Sequence, residues 1–226
     1  MGYRLAIFDL DGTILNTLDD LKTSLNFALR QSSLPERSRE EVRHFVGNGI
    51  RKLIERSVQP NTSPEQINQV FEDFIRHYKL HCADQTRAYE GIPEMLAALK
   101  NTGLKTAVIS NKADYAVQDL CSHYFAGQFD WVTGEKPGIR KKPMPDSVYM
   151  VLEQLKTDRK DAIYIGDSEV DIQTAGNAGI DSILVSWGFR DKDFLYQCGA
   201  ERVIDDPQEL LSIIFPVSTS EYPKSR

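Results

Sequence analysis

The sequence predicts an α/β fold, a Rossmann-like parallel sheet core interrupted by an inserted α-helical domain. Three observations carry that expectation. Short apolar, β-rich runs recur along the chain, helical segments alternate with them from about residue 88 onward, and a long stretch without strands follows the first run. Strands that alternate with helices build a parallel sheet covered on both faces, and such sheets bind ligands beyond the carboxyl ends of their strands.

The first element, "AIFDLDGTIL" (6–15), starts as a buried strand and ends in two acids, Asp9 and Asp11. Side chains alternate along a strand, so these two carboxylates share a face while Leu10 takes the other. Carboxylates held close repel each other unless a cation or a hydrogen-bond network holds both, so the pair invites a metal. Taken alone, the stretch also reads as a polar strand end entering an Asp-Gly turn.

Residues 16–87 carry helical patterns and no convincing strand. Ser38 with Glu41 forms a capping box for "REEVRHFV", and Ser63-Pro64-Glu65-Gln66 starts a helix at "PEQINQVFEDFIRHYKL". The chain resumes its alternation near "YEGIPEML", where Gly91 and Pro93 punctuate it. Further strands follow at "KTAVIS" (105–110), "FDWVTG" (129–134), "AIYIGD" (162–167), "SILVSW" (182–187) and "RVI" (202–204). Helices are expected at "PEMLAALKNTG" (93–103) and "DSVYMVLEQLK" (146–156). The organisation is thus a core of residues 1–15 and 88–226 around an insert of residues 16–87, with a frayed tail from Pro216.

The chain has 226 residues, 41% of them hydrophobic and 27% charged, which describes an ordinary globular protein rather than a disordered one. No apolar run approaches the roughly 18 residues of a spanning helix, and the opening "MGYRLAIFDLDG" meets an acid too soon for a signal peptide. A cytoplasmic protein without a membrane partner is expected. A formal charge of −6 argues against a nucleic-acid partner, because a phosphate backbone demands a basic stripe. Cys82, Cys121 and Cys198 are odd in number and lack a CxxC pair, so they predict neither a disulfide framework nor a zinc site. His77 and His81, four apart on a helix, lack a third ligand and read as surface or core histidines.

The strand exits present Asp9-x-Asp11-Gly12-Thr13, then Ser110-Asn111-Lys112, then Lys142-Pro143, and finally Gly166-Asp167-Ser168 with Asp171. These are carboxylates suited to a divalent metal, hydroxyl and amide donors suited to phosphate oxygens, and a lysine to offset negative charge. The series resembles the four motifs of haloacid dehalogenase superfamily phosphatases, in the subgroup with an α-helical cap domain inserted after the first motif. The likeness spans residues 1 to about 213. It implies that Asp9 is the nucleophile that forms an aspartyl-phosphate, and that Asp11 protonates the leaving oxygen and then activates water. It implies Mg2+ as cofactor, held by the Asp9 carboxylate, the Asp11 backbone carbonyl and the Asp167 carboxylate, with Asp171 behind them. Ser110 and the Asn111 backbone would grip the phosphoryl group, Thr13 would orient it, and Lys142 would neutralise charge between Asp9 and phosphate. Lys142 is preferred to Lys141 because the lysine of the family directly precedes the proline; Lys112 is expected to be a loop lysine. Dehalogenases of the superfamily lack the second acid, so Asp11 points to hydrolysis of phosphoric monoesters.

In the insert, "VGNGIRKLIER" (46–56) places a Gly-Asn-Gly turn before a helix, with free backbone N–H groups, a positive dipole end, and the cations Arg51 and Lys52. Asn48, Gly49 and Arg51 are therefore candidate substrate contacts, although a helix–helix turn whose glycines supply positive φ explains the stretch equally well. Together with "NTLDDL" and "YEGIPEMLAALK", it is similar to bacterial phosphoglycolate phosphatases, which implies 2-phosphoglycolate as the small phosphorylated substrate. Pyrophosphatases, sugar-phosphate phosphatases and a phosphoglucomutase share the same four motifs. A non-catalytic phospho-ligand-binding protein would lack a nucleophile, acid or metal ligand, and none is missing here. The expected assembly is a monomer or homodimer.

Overall fold

The structure is a computed structural model that describes residues 2–215. The expected frayed tail from Pro216 lies outside the described residues. In chain order the elements begin with β1 (Leu5–Phe8), β2 (Leu15–Asn16), α1 (Leu18–Gln31), α2 (Arg39–Phe45), α3 (Ile50–Ser57), α4 (Pro64–His81) and β3 (Arg87–Ala88). They continue with α5 (Ile92–Asn101), β4 (Lys105–Ala113), α6 (Asp114–Tyr124), β5 (Trp131–Glu135), α7 (Asp146–Gln154) and β6 (Ala162–Gly166). The last are α8 (Glu169–Ala178), β7 (Asp181–Val185), α9 (Lys192–Gln197), β8 (Val203–Ile204) and α10 (Pro207–Ile214).

Six strands form one sheet in the order β5-β4-β1-β6-β7-β8, and each neighbouring pair is parallel. β1 lies inside it, with Leu5 paired to Lys105 on one side and to Ala162 on the other. Its four residues, "LAIF", are fully buried because both faces of the sheet are covered. Alternation decides which side each packs against. Ala6 and Phe8 join Leu96, Val117 and Leu210 of α5, α6 and α10, whereas Leu5 and Ile7 join Val148, Val151 and Ala175 of α7 and α8.

Helices α1 to α4 close around a separate apolar cluster that includes Leu25, Val42, Ile54 and Phe74. Their caps follow the sequence. Ser38 and Glu41 form the reciprocal capping box, and the Ser63 side chain accepts from the Gln66 N–H. The chain enters and leaves this unit through β2 and β3, an antiparallel pair with Leu15 opposite Ala88 and Asn16 opposite Arg87. The buried Asp20 carboxylate secures the exit by accepting from the Gln85 and Thr86 N–H groups and the Thr86 hydroxyl.

Helices α6, α9 and α10 are not among the expected elements. α6 starts without a side-chain cap, α9 is only six residues long, and the capping box of α10, Asp206 with Glu209, went unread within "DDPQEL". β5 begins at Trp131 rather than Phe129, because the preceding Asp130 carboxylate is taken up by the Thr106 N–H at 2.8 Å. Among the described residues, no helix is long and apolar enough to cross a membrane.

Candidate active site

Strand ends converge on one edge of the sheet. β1 delivers Asp9 and Asp11, β6 delivers Asp167, and Lys142 arrives on the loop before α7. The Lys142 ammonium lies 2.8 Å from Asp9 Oδ1 and 2.8 Å from Asp171 Oδ1. The other Asp171 oxygen accepts from the Asp167 N–H at 3.2 Å, the Ser168 N–H at 3.1 Å and the Ser168 hydroxyl at 2.7 Å. Asp167 accepts from the Thr13 hydroxyl at 3.2 Å and from the Phe189 N–H at 2.7 Å. Gly12 turns with φ of 91°, and a Cβ there would overlap the Asp167 carboxylate, so only glycine lets the chain pass.

One oxygen from each of Asp9, Asp167 and Asp171 lies within 4.8 Å of the others, and all three residues are buried. Their electrostatics reflect a shortage of positive charge. Burial, opposed by the nearby Lys142, pushes Asp9 up to about 7. Burial, joined by repulsion from Asp171 and Asp9, raises Asp167 well above the ordinary carboxylate range. For Lys142, burial alone would depress the ammonium pKa, but Asp171 and Asp9 override it and the net shift is upward. A buried, all-oxygen donor set with excess negative charge fits a hard divalent cation.

The second strand of the site carries an irregularity. Between Ile109 and Ala113, β4 has more residues than the facing stretch of β5, from Thr133 to Glu135. Such a bulge redirects side chains, and here Ser110, Asn111 and Lys112 all line the cavity over the acids. Lys112 is therefore not a loop lysine. It is 5% exposed, and its ammonium sits 2.7 Å from Asp11 Oδ1 and 4.9 Å from the centre of the Tyr78 ring of α4. Burial would lower its pKa, but Asp11 and Tyr78 raise it beyond that loss. The same Asp11 oxygen accepts from the Thr17 hydroxyl at 2.6 Å.

The cavity above these groups measures about 60 Å3. Its roof comes from Leu21, Val46, Gly47, Gly49, Ile50 and Leu53 of the helical unit, and Phe189 closes one side. Gly49, expected at the substrate, is on this wall, but Asn48 and Arg51 are not. The Asn48 amide oxygen accepts from Arg56 at 2.7 Å, while Arg51 bonds Glu55 at 3.1 Å and Asn68 at 2.7 Å and lies over the Phe71 ring. Pairing within the helices has drawn both side chains away from the cavity. Lys141 is exposed near Glu135, at 3.9 Å, whereas Lys142 is enclosed.

The family profile described as haloacid dehalogenase-like hydrolase matches residues 6–185. The chain belongs to that family. It is a phosphatase of the family, and its relatives share most of its length. A phosphoglycolate phosphatase of Agrobacterium fabrum (strain C58) is 33% identical across 93% of this chain and 92% of its own. An N-acetylmuramic acid 6-phosphate phosphatase of Pseudomonas aeruginosa is 28% identical across 95% of this chain and 96% of its own. A crystal structure of a candidate phosphoglycolate phosphatase from Lactobacillus delbrueckii subsp. bulgaricus superposes with a TM-score of 0.92 at 36% identity. It covers 96% of this chain and 100% of that one.

This haloacid dehalogenase-like hydrolase also places at its site residues that sequence reasoning missed. Phe189 ties Asp167 to the apolar cluster of the helical unit through its N–H and its ring. Arg190 bonds Glu169 at 2.8 Å and donates to the backbone carbonyls of Arg43 at 3.1 Å and Val46 at 2.9 Å, so it joins core to cap. Asp191 meets Arg43 at 2.7 Å beside it. The available signal was the exit of β7, "WGFRD", the one long strand whose end was not read for chemistry.

Proposed function

We propose that this phosphatase hydrolyses 2-phosphoglycolate with Mg2+, through an aspartyl-phosphate on Asp9. The observation that carries the reading is the juxtaposition of Asp9, clamped by Lys142, with Asp11 and Ser110 on the floor of one small cavity. Hydrolysis of phosphate monoesters is among the slowest uncatalysed reactions, and a carboxylate nucleophile divides it into two lower barriers.

Asp9 attacks phosphorus, and Lys142 offsets the charge that gathers between the carboxylate and the phosphoryl oxygens. Asp11 gives a proton to the departing ester oxygen and then takes one from the hydrolytic water. One Asp11 oxygen is occupied by Thr17 and Lys112, which leaves the other to move the proton. The Ser110 hydroxyl and the Asn111 backbone hold the phosphoryl group, and Thr13 acts through its bond to Asp167. Mg2+ would be held by Asp9, Asp167 and the Asp11 carbonyl, and when bound it supplies positive charge for the phosphoryl oxygens. Asp171, both of whose oxygens are engaged, orients Lys142 rather than ligating.

A roof of Leu21, Val46, Ile50 and Leu53 over the acids favours a short substrate over a phosphorylated amino sugar. The test is phosphate release, as kcat/KM with Mg2+, from 2-phosphoglycolate beside pyrophosphate, N-acetylmuramic acid 6-phosphate, glucose phosphates and an aryl phosphate. The expected lead for phosphoglycolate is about a hundredfold, near 2.7 kcal/mol of transition-state discrimination. A flat profile, or one led by pyrophosphate, would reject the substrate while leaving the chemistry intact; EDTA-resistant activity would reject the metal.

A further inference from the structure

With Arg51 bonded to Glu55 and Asn68, the carboxylate of a phosphorylated acid receives no cation from the roof of the cavity. The roof residues Leu21, Val46, Gly47, Gly49, Ile50 and Leu53 carry no charge. Two lysines line the walls, Lys142 and Lys112. Lys142 is enclosed between two carboxylates, Asp9 and Asp171. Lys112 pairs with one carboxylate among the described residues, Asp11 at 2.7 Å. We infer that Lys112 binds the substrate carboxylate and is the residue that selects 2-phospho acids over neutral phosphate esters.

The inference rests on the proposed reading of the site, and substrate geometry supports it. In 2-phosphoglycolate a single methylene separates the ester oxygen from the carboxylate carbon. Asp11 must touch that ester oxygen to protonate it, so an ammonium in contact with Asp11 stands within reach of the carboxylate. Lys112 is also held in place beforehand. The bulge in β4 aims it, the Tyr78 ring packs against it, and its side chain is 3% exposed. A cation so ordered loses little freedom on binding, and with little water around it an added anion gains more than at the surface. The rival is Lys141, whose exposed ammonium stands beside Gly49 at the mouth of the cavity.

The experiment compares two phosphonates that cannot be hydrolysed, 3-phosphonopropanoate, which replaces the ester oxygen of phosphoglycolate by methylene, and propylphosphonate, which lacks the carboxylate. Their affinities for the Mg2+-loaded protein are measured by calorimetry for the wild type, Lys112→Met, Lys112→Arg and Lys141→Ala. The wild type is expected to prefer the carboxylated ligand. Lys112→Met should reduce that preference by about ten- to a hundredfold while propylphosphonate affinity stays within about threefold, as loss of one charge-assisted hydrogen bond implies. Lys112→Arg keeps the charge, guards against a misfolded Met variant, and should retain most of the preference.

A preference that survives in Lys112→Met would overturn the inference and reduce Lys112 to a support for Asp11. A preference lost in Lys141→Ala instead would reassign it to the mouth of the cavity. A wild type indifferent to the carboxylate would overturn the reading as a phosphorylated-acid hydrolase, a failure visible before any variant is compared.

Discussion

The Nζ of Lys142 is 2.8 Å from Oδ1 of Asp9, and both groups are shut away from water. Truncating Lys142 to Ala strands the buried Asp9 and Asp171 carboxylates together. The expected cost is about 3–5 kcal/mol of stability, because an unpaired buried charge is far worse than a missing pair. Turnover should be lost as well. Lys141→Ala, at the exposed neighbour, should leave urea unfolding and kcat close to wild type; the reverse order of effects would move the catalytic lysine by one residue.

Asp9→Asn keeps the shape of the side chain, leaves the Lys142–Asp171 pair intact and removes one of three crowded carboxylates. Phosphate release should fall by at least about a thousandfold with an unchanged circular dichroism spectrum. Substantial residual turnover would show that another group attacks phosphorus.

Arg51→Ala removes contacts with Glu55, Asn68 and Phe71 and none with the cavity. Stability should drop by less than about 1 kcal/mol, the usual range for an exposed helix pair. Steady-state kinetics with carboxylated and neutral substrates should move by less than about twofold, and a larger selective rise in KM would bring Arg51 back to the substrate.

Arg190→Ala leaves the Arg43 and Val46 carbonyls and Glu169 without their shared donor. Closure of the cap over the core should weaken, with kcat/KM reduced about tenfold and faster proteolysis near Arg87 in the β3 connection, as loss of buried hydrogen bonds predicts. Cleavage at the wild-type rate would separate cap docking from this arginine.

The acid cluster makes stability depend on pH. Asp9 is raised to about 7 in the metal-free fold, against an unfolded value near 4, so between these limits the native state holds the extra proton. Its contribution is therefore fully present below about pH 4 and is lost as pH rises through about 7; Asp167 acts in the same direction. Melting with EDTA should show this loss between pH 5 and 8. Mg2+ should raise Tm more at pH 8 than at pH 5, because protons compete for the same oxygens. A stabilisation independent of pH would place the metal away from Asp9 and Asp167.

Much of the fold was legible because its signals are local. The apolar strands, the Ser38 and Ser63 caps and the order of acids at strand ends lie in short stretches, each with a period or spacing of its own. Lys112 was not legible as a buried residue, since its burial comes from Asp11, 101 residues earlier in the chain, and from Tyr78 on α4. Arg51 is the opposite case, held off the cavity lining by a local partner. Its partner Glu55 stands four residues ahead on the same helix, a pairing visible in the sequence but passed over in favour of the substrate. Arg190 needed a fold before it had meaning, because its acceptors are backbone carbonyls of another unit.

The interior place of β1 in the sheet also orders events during synthesis. Its partners begin at Lys105 and Ala162, so β1 leaves the ribosome ahead of both and waits for them before it can be sandwiched. At about 5–20 residues per second, that wait is on the order of ten seconds. Meanwhile α1 to α4 emerge with nearly all of their own apolar cluster. The element that carries the nucleophile is thus made well before the strands that enclose it, which makes the exposed "LAIF" segment the natural point of capture for a chaperone, or of aggregation, while the chain is unfinished.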